Sequence, residues 1–401
     1  MLMKKNEIFV LDTIGRTAIL FVIVGIYFSL LVEAYLGFTQ LRNLFYVIGV
    51  ALFGVSVLLK GIITMRNDFF QYALLSIPIA FVSVFFWESL KEFNVYVVLI
   101  TLILVVGTDI SFFKKILKYI FYLSLILALY EYIFKDYVFV VYRQTIWGLK
   151  ALDPHLYGGY SGLFRAKAIF EGPLALAQLS IGMALLFKND IKIIIISILL
   201  SFLANGRLAI LLTTMVLGLY VAEKYGLVKI ILNKKVLFSF LILFIIGFYF
   251  IINLDEKSMT RLLDIFNTSK NSTNSARLDY WKKGYDLLFT YDFKHLFFGN
   301  SGYYKSLYLN NAENGWLTLL LNNGLLGFFY YLFPLAAISF YSAKNKTYHL
   351  AYVGVLFIAM IVQTFHLGAS ASLFYWVILY TYYDELKLVA NVRKDEIVIN
   401  N

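Results

Sequence analysis

The feature that most limits what this chain can become is the recurrence of apolar runs of roughly 17 to 25 residues from end to end, the length that crosses a hydrocarbon core of about 30 Å. In lipid such a run must satisfy its own backbone N–H and C=O groups, so it folds as a helix; a barrel would show short alternating strands instead. Composition agrees. Hydrophobic residues fill 61% of 401 positions and charged residues only 15%, against about 25% charged in a soluble domain. Candidate spans fall at 14–32, 43–59, 69–87, 93–108, 116–134, 168–187, 191–204, 207–222, 236–252, 315–342, 348–365 and 368–384. The expected fold is an all-α polytopic integral membrane protein, a single transmembrane domain over 1–401 with about twelve helices. The first run follows Lys4 and Lys5 but has no small-residue cleavage site behind it, so it reads as a retained helix rather than a signal peptide.

Charge sets the orientation. Short cytoplasmic loops collect Lys and Arg. With the N-terminus inside, the cytoplasmic segments hold nineteen basic residues and the short outer loops three, Arg42, Lys91 and Arg207. Both termini are therefore expected in the cytoplasm. The net charge of +11 follows from this orientation and from contact with anionic lipid, with no nucleic-acid partner implied. The other thirteen basic residues lie in two long outer loops, about 135–167 and 253–314, too long to obey the charge rule and long enough to carry function. In the second, the polar run 267–275 precedes a short amphipathic helix with Leu278, Trp281, Tyr285 and Leu288 expected on one face, suited to the membrane surface.

Several chemistries are excluded or disfavoured. Cysteine is absent, so disulfides and thiolate catalysis are out. The four histidines, His155, His295, His349 and His366, show no metal-binding spacing, and no P-loop is present; neither a metal nor a cofactor is expected. No internal repeat is visible, which weighs against transporters built from duplicated halves.

The residues that remain cluster at the outer face. Arg165, Lys167 and Glu171 precede a helix start at which Pro173 fits the first turn; the plain reading of Arg165 and Lys167 is anchoring by snorkelling side chains. Asn205-Gly206 is a turn signal that puts Arg207 at the outer mouth of the next helix, against the charge trend. Arg277 opens the amphipathic helix, with Gly299 and Gly302 supplying a turn beyond it. Glu313 stands before an apolar helix that breaks at Asn322-Asn323-Gly324; it is either a first-turn acid on the helix dipole or a general base. Three arginines and a carboxylate on one side of a membrane suggest a pyrophosphate clamp with a base, because Arg binds phosphate oxygens bidentately and stays charged.

Over about residues 160 to 330 these elements resemble the bacterial O-antigen polymerase and O-antigen ligase superfamily. The match lies in Arg165, Phe170 and Pro173 entering a central helix, and in Arg207 after a short outer turn. It continues with Arg277, Trp281, Gly299 and Gly302 in the large loop, then Glu313, Leu317, Gly324 and Gly327. The resemblance implies a GT-C-like membrane glycosyltransferase of the bacterial inner membrane. Its substrate would be an undecaprenyl-pyrophosphate-linked oligosaccharide, with membrane lipid and a chain-length regulator protein as further partners. Arg165, Arg207 and Arg277 would hold the pyrophosphate and Glu313 would be the base, with Glu171 in reserve. Ligases, and many polymerases, carry His where Glu313 stands, which favours the polymerase here. The competing readings are a ligase that transfers polymer to lipid A–core and a lipid-linked glycan flippase. A flippase should line its path with charge at mid-depth, where these spans have almost none.

Overall fold

The computed structural model describes residues 5–28, 44–45, 47–49, 51–52, 54–55, 71–72, 74–87, 110–139, 142–145, 148–151, 164–170, 172–226, 272–363, 365 and 369–399. The expected spans 93–108 and 236–252 lie outside these residues, and 43–59 largely so. The described part is helical apart from one hairpin. In chain order the helices are α1 (Lys5–Tyr27), α2 (Ser76–Val84), α3 (Ile110–Phe134), α4 (Pro173–Leu186), α5 (Ile191–Leu203) and α6 (Arg207–Tyr225). They continue with α7 (Ser272–Thr290), α8 (Phe293–Phe298), α9 (Tyr303–Tyr308), α10 (Gly315–Asn345), α11 (His349–Gln363) and α12 (Ala369–Ile399). The antiparallel hairpin of β1 (Tyr142–Thr145) and β2 (Gly148–Ala151) lies inside the first long loop, where no strand was expected. Three helices, α3, α6 and α10, are long and apolar enough to cross a membrane, with shorter apolar helices at Thr13–Tyr27, Pro173–Leu186, Ile191–Leu203 and His349–Ile361.

Helices α4, α5 and α6 run up, down and up, joined by the tight turns 187–190 and 204–206. Small residues allow the close approach: a Cβ on Gly206 would stand 2.8 Å from that of Ala177. The Ser180 and Ser201 hydroxyls meet at 2.6 Å between α4 and α5. Such small and hydroxyl-bearing contacts hold helices together where the surroundings are as apolar as the side chains. Asn205, with φ 48°, takes the left-handed turn that its sequence signals. Pro173 occupies the first turn of α4, as expected.

Helix α10 is two helices. Gly324 has φ 63° and ψ −166°, far from helical values. Trp316 packs edge-on against Phe328, ring centroids 5.5 Å apart; twelve residues of continuous helix would separate them by about 18 Å. The first half therefore folds back on the second, and the expected single span 315–342 is corrected to a spanning half of about 21 residues after the break, close to 30 Å long. Further along, Pro334 has no N–H to offer the carbonyl of Tyr330. The Tyr72 hydroxyl donates to that carbonyl instead, with the two tyrosine rings stacked at 4.9 Å. Tyr375 donates to the next carbonyl, that of Tyr331, at 2.5 Å.

These contacts define two ends. Tyr382 donates to the Leu185 carbonyl at 2.8 Å, Tyr352 to Glu223 at 3.0 Å, and His349 meets Glu385 at 2.8 Å. They gather the ends of α4 and α6, the start of α11 and the later part of α12 with Lys188 and Lys224. This is the basic end. The turn 204–206, the segment 164–170, the end of α3 and the break in α10 lie at the other, the loop end.

Candidate functional site

At the loop end the segment entering α4 is fixed by a residue that sequence reasoning passed over. Glu131, near the end of α3, is fully buried, and one of its oxygens accepts from the backbone N–H groups of both Lys167 and Ala168 at 2.8 Å. The other accepts from Val138 N–H at 3.4 Å. This double capture holds Ala168 at φ 51°, a conformation that costs a non-glycine residue about 1–2 kcal/mol. The Lys167 side chain is only 1% exposed, which corrects the expectation of a snorkelling anchor. Its ammonium reaches the Phe170 carbonyl at 3.5 Å and lies 5.0 Å from the centre of the Tyr137 ring. Burial holds this amine below the usual lysine range, and Glu131 offsets only part of that. The signal available in the sequence was a lone carboxylate at the end of a span, in L-Y-E-Y-I-F.

Arg165 leads this segment. Its Nε donates to the Ala204 carbonyl at 3.0 Å, the Tyr137 hydroxyl donates to the Arg165 carbonyl at 2.9 Å, and Ala166 N–H donates to the Leu203 carbonyl at 3.0 Å. The structure thus lays the segment of Arg165 against the turn that leads to Arg207, the first residue of α6. Both arginines are half-buried. Glu171 lies outside the described residues.

The second group stands at the head of α10. Arg277 Nε donates to one oxygen of Glu313 at 2.9 Å, and Asn310 donates to the other at 3.1 Å. Their side chains are 40% and 34% exposed. Sequence alone put Arg277 in a clamp and Glu313 in the role of base without pairing them, because 36 residues separate them along the chain. Glu313 takes φ 53°, and Asn314 behind it caps α10 by accepting from Leu317 N–H at 3.1 Å. Glu313 therefore precedes the cap and is not in the first helical turn. No protein acceptor takes the terminal nitrogens of Arg277 among the described residues, so its guanidinium can hold Glu313 and still present donors to an anion. Each Glu313 oxygen likewise retains a second lone pair.

Two glycines set this geometry. Gly299 (φ 79°) and Gly324 cross backbone to backbone: a Cβ on Gly299 would lie 2.4 Å from the Asn322 carbonyl, and one on Gly324 2.5 Å from Gly299 N. Asn300 N–H donates to the Leu321 carbonyl at 2.9 Å across the same crossing. Below it, Leu317 and Leu321 pack with Leu287, Tyr304 and Ala312 and seat α7 on α10. The amphipathic helix begins at Ser272, inside the expected polar run, and its expected single face is split. Trp281 and Leu288 turn toward this cluster, whereas Leu278 and Tyr285 are exposed. The aromatics of the first long loop, Tyr142, Trp147, Tyr157 and Tyr160, which by residue type suit either sugar stacking or an interfacial belt, have no described side chain.

The chemistry open to this arrangement is anion binding by guanidinium groups beside a carboxylate that can take a proton. Among the described residues no group of three or more His, Asp or Glu side chains is placed to hold a metal ion. No protein-family model matches the chain, and no curated protein matches it in sequence.

Proposed function

We propose that this chain is a surface-polysaccharide polymerase of the O-antigen polymerase type, a glycosyltransferase acting at the outer face of the bacterial inner membrane. The observation that carries the reading is the Arg277–Glu313 pair at the head of a broken helix, at the same end of the bundle as Arg165 and Arg207. In the reaction, a hydroxyl of the terminal sugar on one lipid-linked repeat unit attacks the anomeric carbon of a glycan carried on polyprenyl pyrophosphate. The new C–O bond forms as the bond to the pyrophosphate oxygen breaks, with inversion. The lipid pyrophosphate leaves with the bonding electrons, and Glu313 takes the hydroxyl proton. Arg277, through its terminal nitrogens, and Arg165 and Arg207 stabilise the charge that develops on the leaving phosphate. The donor bond is already activated, so no nucleotide is required.

The test is reconstitution. The purified chain in vesicles, given lipid-linked repeat units alone, is expected to produce a ladder of longer glycans. A ladder that forms only after lipid A–core is added would assign the chain to the ligase instead, and movement of intact units across the bilayer without elongation would assign it to a flippase.

A further inference from the structure

Helix α7 keeps one face on α10 and leaves another uncovered. Leu278 and Tyr285 are exposed on it, Phe289 is 86% exposed, and Phe293 on α8 continues the stripe at 80%. Spacings of seven and four residues align the first three along the helix. Large apolar side chains in such a row mark a surface that meets something other than water.

What meets it is indicated by the height at which α8 is held. A Cβ on Gly324 would lie 2.5 Å from the Phe297 carbonyl oxygen and from Gly299 N, so α8 ends at the head of the spanning half of α10. Phe329 and Phe333 are exposed just below on that half, on a helix long and apolar enough to cross a membrane. On its other side, α8 is tied to the end of α2: Phe298 stacks on Phe86 at 4.5 Å, and Trp87 Nε1 donates to its carbonyl at 3.0 Å. Phe81 of α2 and Phe85 just beyond its end are exposed as well. The stripe on α7 and α8 thus continues outward from two apolar surfaces that bracket it. Lys282 lies within the stripe and Lys294 follows Phe293, both exposed and with stems long enough to reach lipid phosphates. Asp279 and Asp286 lie to one side of it.

We infer that Leu278, Tyr285, Phe289 and Phe293 are seated in the boundary between lipid headgroups and acyl chains, so that α7 lies in the plane of the bilayer surface. The seating depends on α10 being a membrane span and not on the reaction proposed above. It adds to that proposal: Arg277 directly precedes Leu278, so its pair with Glu313 stands at headgroup depth, where the pyrophosphate of a lipid-linked substrate lies.

The absence of native cysteine makes the test direct. Single cysteines at Phe289, Phe293 and Asp286 of the full chain are labelled with a polarity-sensitive fluorophore and reconstituted in phosphatidylcholine–phosphatidylglycerol vesicles. Labels at 289 and 293 should emit to the blue of the label at 286 and be quenched by phosphatidylcholine carrying a nitroxide near its headgroup. The label at 286 should be quenched by aqueous iodide. All three positions are exposed, so the variants fold alike. Quenching of 289 and 293 by iodide to the same degree as 286, without lipid quenching, would overturn the inference. So would shielding from both quenchers that grows with protein-to-lipid ratio, which would mean a second copy covers the stripe. Neither outcome depends on glycan transfer.

Discussion

At the basic end of the bundle one oxygen of Glu385 accepts from Lys188 at 3.1 Å and meets His349 Nε2 at 2.8 Å. At the loop end Glu313 accepts from Arg277 at 2.9 Å. The first carboxylate ties together partners that are almost wholly buried, Lys188 at 4% and His349 at 7% exposure. The second belongs to a pair in which both members remain over a third exposed and the guanidinium keeps unused donors. The two pairs are therefore fitted to different tasks. A cation enclosed by protein is a fastening, because its charge has no route to a ligand and its partner mainly offsets desolvation. An open arginine–carboxylate pair contributes little stability; its value lies in what it presents.

The scaffold of the open pair should be the part of this contrast most sensitive to substitution. Gly299→Ala introduces a Cβ into the Asn322 backbone at a positive φ. Strain and overpacking together should cost roughly 3–5 kcal/mol, read as loss of thermal stability in detergent and faster proteolysis of the 272–310 region. At the basic end, Glu385→Ala strands the Lys188 ammonium. A penalty of about 2 kcal/mol is expected, below the range for fully buried pairs because Glu385 is itself partly exposed. A melting temperature unchanged by this substitution would break the comparison, since the basic end would then be no fastening. Glu131→Gln keeps one acceptor for Lys167 and Ala168 but turns an amide donor toward Val138 N–H, if the acceptor stays in place, and removes the charge facing Lys167. About 1–2 kcal/mol should be lost, with new cleavage in the segment 164–170 as the local readout. Tyr72→Phe removes the donor to the carbonyl that Pro334 frees, and should cost only about 0.6–1 kcal/mol in a melt, with no effect at either end.

Much of this was legible in the sequence where local chemistry decides the outcome. The apolar lengths located α3 and α6, the Asn205-Gly206 turn formed as its residues require, Pro173 opened α4, and the break in α10 fell at the glycine that ends Asn322-Asn323-Gly324. What was not legible depends on contacts between distant segments. Glu131 and Lys167 are 36 residues apart, as are Arg277 and Glu313, and nothing in either local pattern names its partner. The fold-back of Trp316 onto Phe328 likewise depends on one glycine's torsion, which hydropathy does not register. The face of α7 was misjudged for a related reason. Helical periodicity gives the angle between side chains, but which of two apolar stripes turns inward depends on Leu317 and Leu321 of α10.

The most direct test of the account compares the two carboxylates in one assay. Glu313→Gln and Glu385→Gln proteins, each matched for folded fraction, are supplied with lipid-linked repeat units in vesicles. The Glu313 variant should melt like the parent yet form no glycan ladder, whereas the Glu385 variant should melt earlier yet polymerise normally per folded molecule. A near-normal ladder from Glu313→Gln would remove this residue as the base and with it the distinction between the two ends.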